Sequence, residues 1–248
     1  MDVLAQRVKK VVYREGDTVV KEFNEDYSKS DVLNEALNQA RVEETGLPIP
    51  KLESVHKNGH KWAIVMEYVE GKTIQQLMDE NPDQTDHYLE KFVDIQLEIH
   101  SKTAPLLPRL KDKMNRKISA TANILDATTR YDLHTRLESM PKHLKVCHGD
   151  LGLSDIIITE DGKYYIIDWA HATQGNASAD AARTYLKLCL ADKEELAKQY
   201  LDLFCKKSDT ARQYVQKWMP IVAASQSVKG KPEERDFLLS WVDVVDYE

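Results

Sequence analysis

The chain has 248 residues, 42% of them hydrophobic and 30% charged, which is enough apolar mass for a packed core beneath a well-solvated surface. Its 34 basic and 41 acidic residues leave a net charge of −7, a poor basis for gripping a nucleic-acid backbone, where phosphate neutralisation supplies most of the affinity. A small cationic molecule suits such a chain better.

The first third reads as strands. KKVVYREGDTVVKEF holds two β-rich runs around Glu15-Gly16-Asp17, a hairpin signal. A helix follows, with Ser30 or Asp31 as its cap and Val32, Leu33, Ala36, Leu37, Ala40 and Val42 at roughly helical spacing. Gly46 ends it, and Pro48 and Pro50 prevent its resumption. A second hairpin surrounds Asn58-Gly59, and its outgoing arm is WAIVMEYV. A hinge is expected near residues 67–71. Helices take over from Thr73, first TIQQLMDE and then HYLEKFVDIQLEIHS, with Leu89, Phe92, Val93 and Ile99 on one face. Residues 106–140 are more polar and partly helical. Three β-like pieces come next: LKVCHGD, SDIIIT and KYYIIDWA, with a turn at Glu160-Asp161-Gly162. From Asp180 onward the pattern is helical.

Cys147, Cys189 and Cys205 form no CxxC pair, so neither a disulfide framework nor a zinc knuckle is expected, and a reducing cytoplasm is the natural compartment. MDVLAQRVKK lacks the apolar stretch of a secretory leader, and the longest apolar runs fall far short of a membrane span. No membrane and no nucleic-acid partner is expected.

The chemistry is concentrated in HGDLGLSD (148–155) and the IIDW that follows. Together they bring Asp150, Asp155 and Asp168 within a few residues of β-type segments. Clustered carboxylates repel one another unless a cation sits between them, and hard oxygen ligands favour Mg²⁺. The spacing matches the kinase catalytic loop H-R-D-L-x-x-x-N, with Gly149 replacing Arg and a second metal-binding Asp on the next hairpin. Asp150 then orients the attacking hydroxyl, while Asp155 and Asp168 hold metal. An isolated HGD would be a surface turn, but here the features occur in the expected order. Working back, Lys21 in TVVKEF is the candidate phosphate lysine, and Glu35 its partner on the following helix, facing inward if Leu33 and Leu37 flank its face. Met66, Glu67, Tyr68 and Val69 make the strand and hinge whose backbone groups could meet adenine.

HGDLGLSDIIITEDGKYYIIDWAHA, with ETGLPIPKL and VMEYVEG upstream, resembles the aminoglycoside phosphotransferase and choline kinase family, over about residues 11–183. The resemblance implies an α+β, protein-kinase-like bilobal fold: a small antiparallel-sheet N-lobe (1–70) and a larger, mainly helical C-lobe (71–248). It also implies a small-molecule kinase using ATP, or another nucleoside triphosphate, with Mg²⁺; Asp150 is the base, Asp168 a metal ligand, and Lys21 with Glu35 the nucleotide clamp. Antibiotic resistance is one role such an enzyme can have. Asp180 stands where the family carries an architectural Asp, here as a cap or partner of Arg183; His148 is expected to be structural and His100 a packing residue.

Two departures stand out. Asp155 occupies a position where the family has Asn, adding a negative charge and removing an amide donor. That keeps open a nucleotide-binding protein with weak or lost catalysis. The stretch expected over the phosphates, residues 5–10, contains no glycine. The acceptor is not specified: aminoglycosides, choline-like amino alcohols, homoserine, thiamine and sugars all stay open, and a cationic one would suit the acidic Glu233, Glu234, Asp236, Asp243, Asp246 and Glu248. Trp218 and Trp241 could stack on it, although their helical spacing favours the core.

Overall fold

The computed structural model describes residues 2–228 and 232–242, and Asp243, Asp246 and Glu248 lie outside that range. Among the described residues the fold is α+β, with an antiparallel sheet in the N-terminal region and a mainly helical remainder. In chain order come β1 (Asp2–Arg7), β2 (Lys10–Glu15), β3 (Thr18–Phe23), α1 (Lys29–Glu43), β4 (Leu52–Asn58), β5 (Lys61–Glu67), β6 (Lys72–Thr73) and α2 (Ile74–Glu80). Next are α3 (Thr85–Ser101), α4 (Leu110–Ser119), α5 (Ala127–Ser139), β7 (Lys145–Cys147), β8 (Ile156–Ile158), β9 (Tyr164–Ile166) and β10 (Thr173–Gly175). The helices α6 (Ala177–Cys189), α7 (Glu194–Ser208), α8 (Arg212–Gln216), α9 (Met219–Ser227) and α10 (Pro232–Ser240) complete the described chain. No helix among the described residues is long and apolar enough to cross a membrane.

Two compact units divide the chain. The first runs to Gln84 and also takes Leu153–His171; the second comprises Thr85–Gly152 and the chain from Ala172 onward. The sequence division at residue 70 follows the change from strands to helices. Compactness follows pairing instead: β6, β8 and β9 form one sheet, which keeps residues 72–73 and the β8–β9 hairpin with the first unit.

In the first unit the sheet order is β1-β2-β3-β5-β4, antiparallel throughout. Both expected hairpins form, and β1 adds an edge strand beside β2. Phe23 and Ile64 from this sheet pack against Val32 and Ala36 of α1. The inward face of α1 carries Val32, Glu35, Ala36, Gln39 and Val42, whereas Leu33 and Leu37 are exposed. The periodicity therefore located the helix but rotated its buried face: Glu35 is inward on the Val32–Ala36 stripe. Ser28, whose hydroxyl meets that of Ser30 at 2.8 Å and makes no capping bond to the helix backbone, takes the N-cap position expected of Ser30 or Asp31.

In the second unit β7 pairs with β10, and the apolar faces of the helices supply a core that includes Phe92, Ile99, Ile118, Leu137, Tyr200, Phe204 and Trp218. A buried polar chain runs through it: Tyr200 donates to Gln96 (2.6 Å), Gln96 to Thr184 (3.3 Å), and Thr184 to the Leu151 carbonyl (3.2 Å). It ties α3, α6 and α7 to the segment just after Asp150.

Candidate active site

In the first unit, register brings the chemistry together. Val12 of β2 pairs with Lys21 of β3, so Lys10, two residues before Val12, shares a sheet face with Lys21. Lys21 is buried, and its Nζ contacts the Glu35 carboxylate closely and Asp168 Oδ1 at 3.0 Å. Burial alone would lower the Lys21 ammonium pKa, but the charges of Asp168 and Glu35 outweigh it and raise the pKa above the ordinary lysine value. Lys10 Nζ lies 4.0 Å from Glu35 Oε1 and 3.9 Å from Asp168 Oδ1, a second ammonium that the sequence reading missed. Burial, and then the neighbouring Lys21 charge, lower the Lys10 pKa.

Asp168 follows β9 with φ +65°, a left-handed conformation uncommon outside glycine and found where a site fixes a side chain. Asp155 ends the short turn before β8, and its carbonyl accepts from the Ile167 N–H at 2.9 Å, beside the Ile156–Ile166 pair. The hairpin thus carries both aspartates at one end. Of the two, Asp168 offers a carboxylate oxygen beside the Lys21 ammonium, and carboxylates are the hard oxygen ligands that suit Mg²⁺.

Met66 and Glu67 belong to β5, and the Glu67 amide donates to the Lys51 carbonyl at 2.9 Å. The Tyr68 amide donates to the Asp17 carbonyl, also at 2.9 Å, and the Tyr68 ring lies under the Arg14 guanidinium, 3.9 Å from centroid to Cζ. Those two amides are thus spent on the fold. Gly71 presses against β8, where an added Cβ would lie 2.4 Å from the Ile158 carbonyl oxygen.

In the second unit the HGD segment leaves β7. Gly149 has φ +81°, which explains why glycine stands where the kinase loop carries arginine. The carboxylate of Asp180, buried in the first turn of α6, accepts from the His148 amide (3.0 Å), the Gly149 amide (2.7 Å) and His100 Nε2 (3.0 Å). Burial would raise the Asp180 pKa; the His100 hydrogen bond and the nearby imidazoles hold it below the ordinary carboxylate value instead. Asp180 is therefore architectural, as expected, but its partner is His100 rather than Arg183, and His100 does more than pack. Cys147 lies in the same buried cluster, and burial and the Asp180 charge push its thiol pKa well up.

Arg183 pairs with Asp150 instead, through Nε at 2.9 Å and Nη2 at 2.6 Å. Lys187, one turn later on α6, donates to the Asp150 carbonyl at 2.6 Å and lies 3.5 Å from its Oδ2. Sequence reasoning missed this clamp, although the i, i+4 spacing of Arg183 and Lys187 was visible in DAARTYLK. Among the acceptor candidates, Glu233 and Asp236 are exposed on α10, Glu234 is partly covered, Trp218 is buried, and Trp241 packs edge-on against Tyr185 and Phe237.

The family model described as "Phosphotransferase enzyme family" matches residues 3–216. The chain belongs to that family. It is a small-molecule kinase. Among solved structures, a thermostable mutant of aminoglycoside phosphotransferase APH(4)-Ia is similar at TM-score 0.72 and 15% identity, over 98% of this chain and 92% of that one. A ternary complex of that protein with ADP and hygromycin B gives TM-score 0.72 at 13% identity, over 98% and 91%. Choline kinase LicA from Streptococcus pneumoniae gives 0.65 at 14%, over 98% and 92%. No curated protein matches the chain. The resemblance read from HGDLGLSD and IIDW thus agrees with the family, and the α+β kinase-like fold with its structural neighbours.

Proposed function

We propose that this enzyme transfers the γ-phosphoryl group of ATP to a hydroxyl of a small molecule. The observation that carries the reading is the buried Lys21, held at once by Glu35 and Asp168. A phosphate-binding ammonium fixed between a helix glutamate and a hairpin aspartate is the arrangement that aligns a triphosphate in kinases. The neighbour solved with ADP adds support for a nucleotide as co-substrate.

In this reading Lys21 neutralises phosphate oxygens, and Asp155 with Asp168 would hold Mg²⁺, which supplies further neutralisation of triphosphate charge. Asp150 orients the acceptor hydroxyl and takes its proton as the oxygen attacks the γ-phosphorus and the bond to the β-phosphate oxygen breaks. Arg183 and Lys187 hold that carboxylate in one orientation, so that positioning and charge carry most of the rate. Their positive charge beside Asp150 favours acceptors without an ammonium next to the reacting hydroxyl, ranking sugars and neutral alcohols ahead of choline.

The test is ADP release from ATP over a panel of sugars, amino alcohols, homoserine, thiamine and aminoglycosides, with Asp150→Asn as the blank. An acceptor that is phosphorylated by the natural chain, and at least ~100-fold more slowly by the variant, supports the reading. ATP binding without ADP release above the blank for any acceptor overturns it in favour of a nucleotide-binding protein.

A further inference from the structure

We propose that Lys10 is a second phosphate-binding ammonium of this enzyme, a side-chain substitute for the glycine-rich loop that the chain lacks. The inference rests on the proposed triphosphate site.

The hairpin between β1 and β2 closes with Arg7 opposite Lys10, and its turn is Val8-Lys9. No glycine occurs from residue 5 to residue 10, so backbone amides there are shielded by side chains and do not approach a phosphate as closely as a glycine loop does. Lys10 is the first residue of β2 after that turn, and the alternation of the strand turns it towards the face that carries Lys21. Its stem runs beside the Phe23 ring, with Nζ 5.9 Å from the centroid, and only 20% of the side chain is exposed. The ammonium is thus held over the site.

The distances separate the two lysines. Lys21 hydrogen-bonds Asp168 at 3.0 Å, whereas Lys10 stands at 4.0 and 3.9 Å from Glu35 and Asp168, beyond hydrogen-bond reach of either. Lys21 is committed to the carboxylates that position it. Lys10 is attracted to the same pair without hydrogen-bonding to it, so an entering anion need not displace a carboxylate to reach its ammonium. Two ammoniums side by side on one buried face repel each other, and a polyphosphate is the ligand class that turns that repulsion into attraction.

Equilibrium binding to the full chain of ATP, ADP, AMP and adenosine, each with Mg²⁺, tests the inference through its dependence on phosphate number. Lys10→Met is expected to weaken ATP and ADP by about tenfold, the worth of one charge-assisted hydrogen bond, and to leave adenosine unchanged. Lys10→Arg should recover most of the loss. Lys9→Met removes the same charge from the same hairpin at an exposed ion pair with Asp26, and should change nothing. Equal ATP affinity in Lys10→Met and the natural chain overturns the inference, as does a loss of the same size for adenosine or in Lys9→Met. Natural chain that binds no triphosphate at all defeats the parent reading as well, whereas failure of Lys10→Met alone leaves it standing. If Lys10→Met does not fold, Lys10→Gln, which keeps part of the stem and a donor but not the charge, reads the same series.

Discussion

Asp180→Asn is nearly isosteric, so it probes hydrogen bonding without opening a cavity. The carboxylate takes the His148 amide and His100 Nε2 on one oxygen and the Gly149 amide on the other. The best placement of a carboxamide keeps its oxygen on the first pair and turns its NH₂ towards the Gly149 N–H, which then has no acceptor. One orphaned buried donor costs about 1–3 kcal/mol, and losing charge assistance on the other two bonds adds about 0.5–1 kcal/mol. A destabilisation of about 3 kcal/mol follows, or a fall in Tm of roughly 6–12 °C for a chain of this size. Urea unfolding with an unchanged m-value is the assay. The pH dependence has a defined sign. Because the folded Asp180 pKa is lowered, its stabilisation is present in full above the ordinary carboxylate value of 3.8 and lost as pH falls from there through the folded value. The gap between natural chain and variant should therefore be constant from pH 7 down to about 4 and narrow only below that. A destabilisation under 0.5 kcal/mol, or a gap that closes between pH 6 and 5, refutes the argument that this buried carboxylate anchors the HGD segment.

Two further substitutions probe the first unit. Glu35→Gln leaves the buried Lys21 with Asp168 as its carboxylate partner at close range; it should destabilise the chain by about 1–3 kcal/mol and weaken ATP binding, and isothermal titration showing full affinity would contradict the clamp. Asp155→Asn removes one negative charge at the end of the hairpin that also carries Asp168 and restores an amide donor; turnover or the Mg²⁺ concentration required for it should shift, and identical metal titrations for both proteins would show that the extra charge has no bearing on the site.

Much of this protein was readable in one dimension because the signals are local. Hairpins at Gly16 and Gly59 follow from residues that accept a positive φ, both of which do so here. The HGD-to-IDW block is likewise contiguous, and its spacing carried the family. Helix periodicity placed α1 but set its inward face one residue off, because Leu33 and Leu37 look like core by hydrophobicity while the pairing with Lys21 draws Glu35 inward instead. Apolar pattern ranks residues by transfer free energy, and a buried glutamate with a lysine partner is invisible on that scale.

Tertiary structure alone decided the partners. That Asp180 meets His100 across 80 positions, that Arg183 and Lys187 clamp Asp150, and that Lys10 shares a face with Lys21 are consequences of helix docking and strand register. Register shifted by one residue would turn Lys10 to the other face without altering the composition or the period of the strand. Sequence determines which chemistry is present and where the chain can turn; which charges neutralise one another depends on long-range packing, since electrostatic energy follows distance in space and not along the chain.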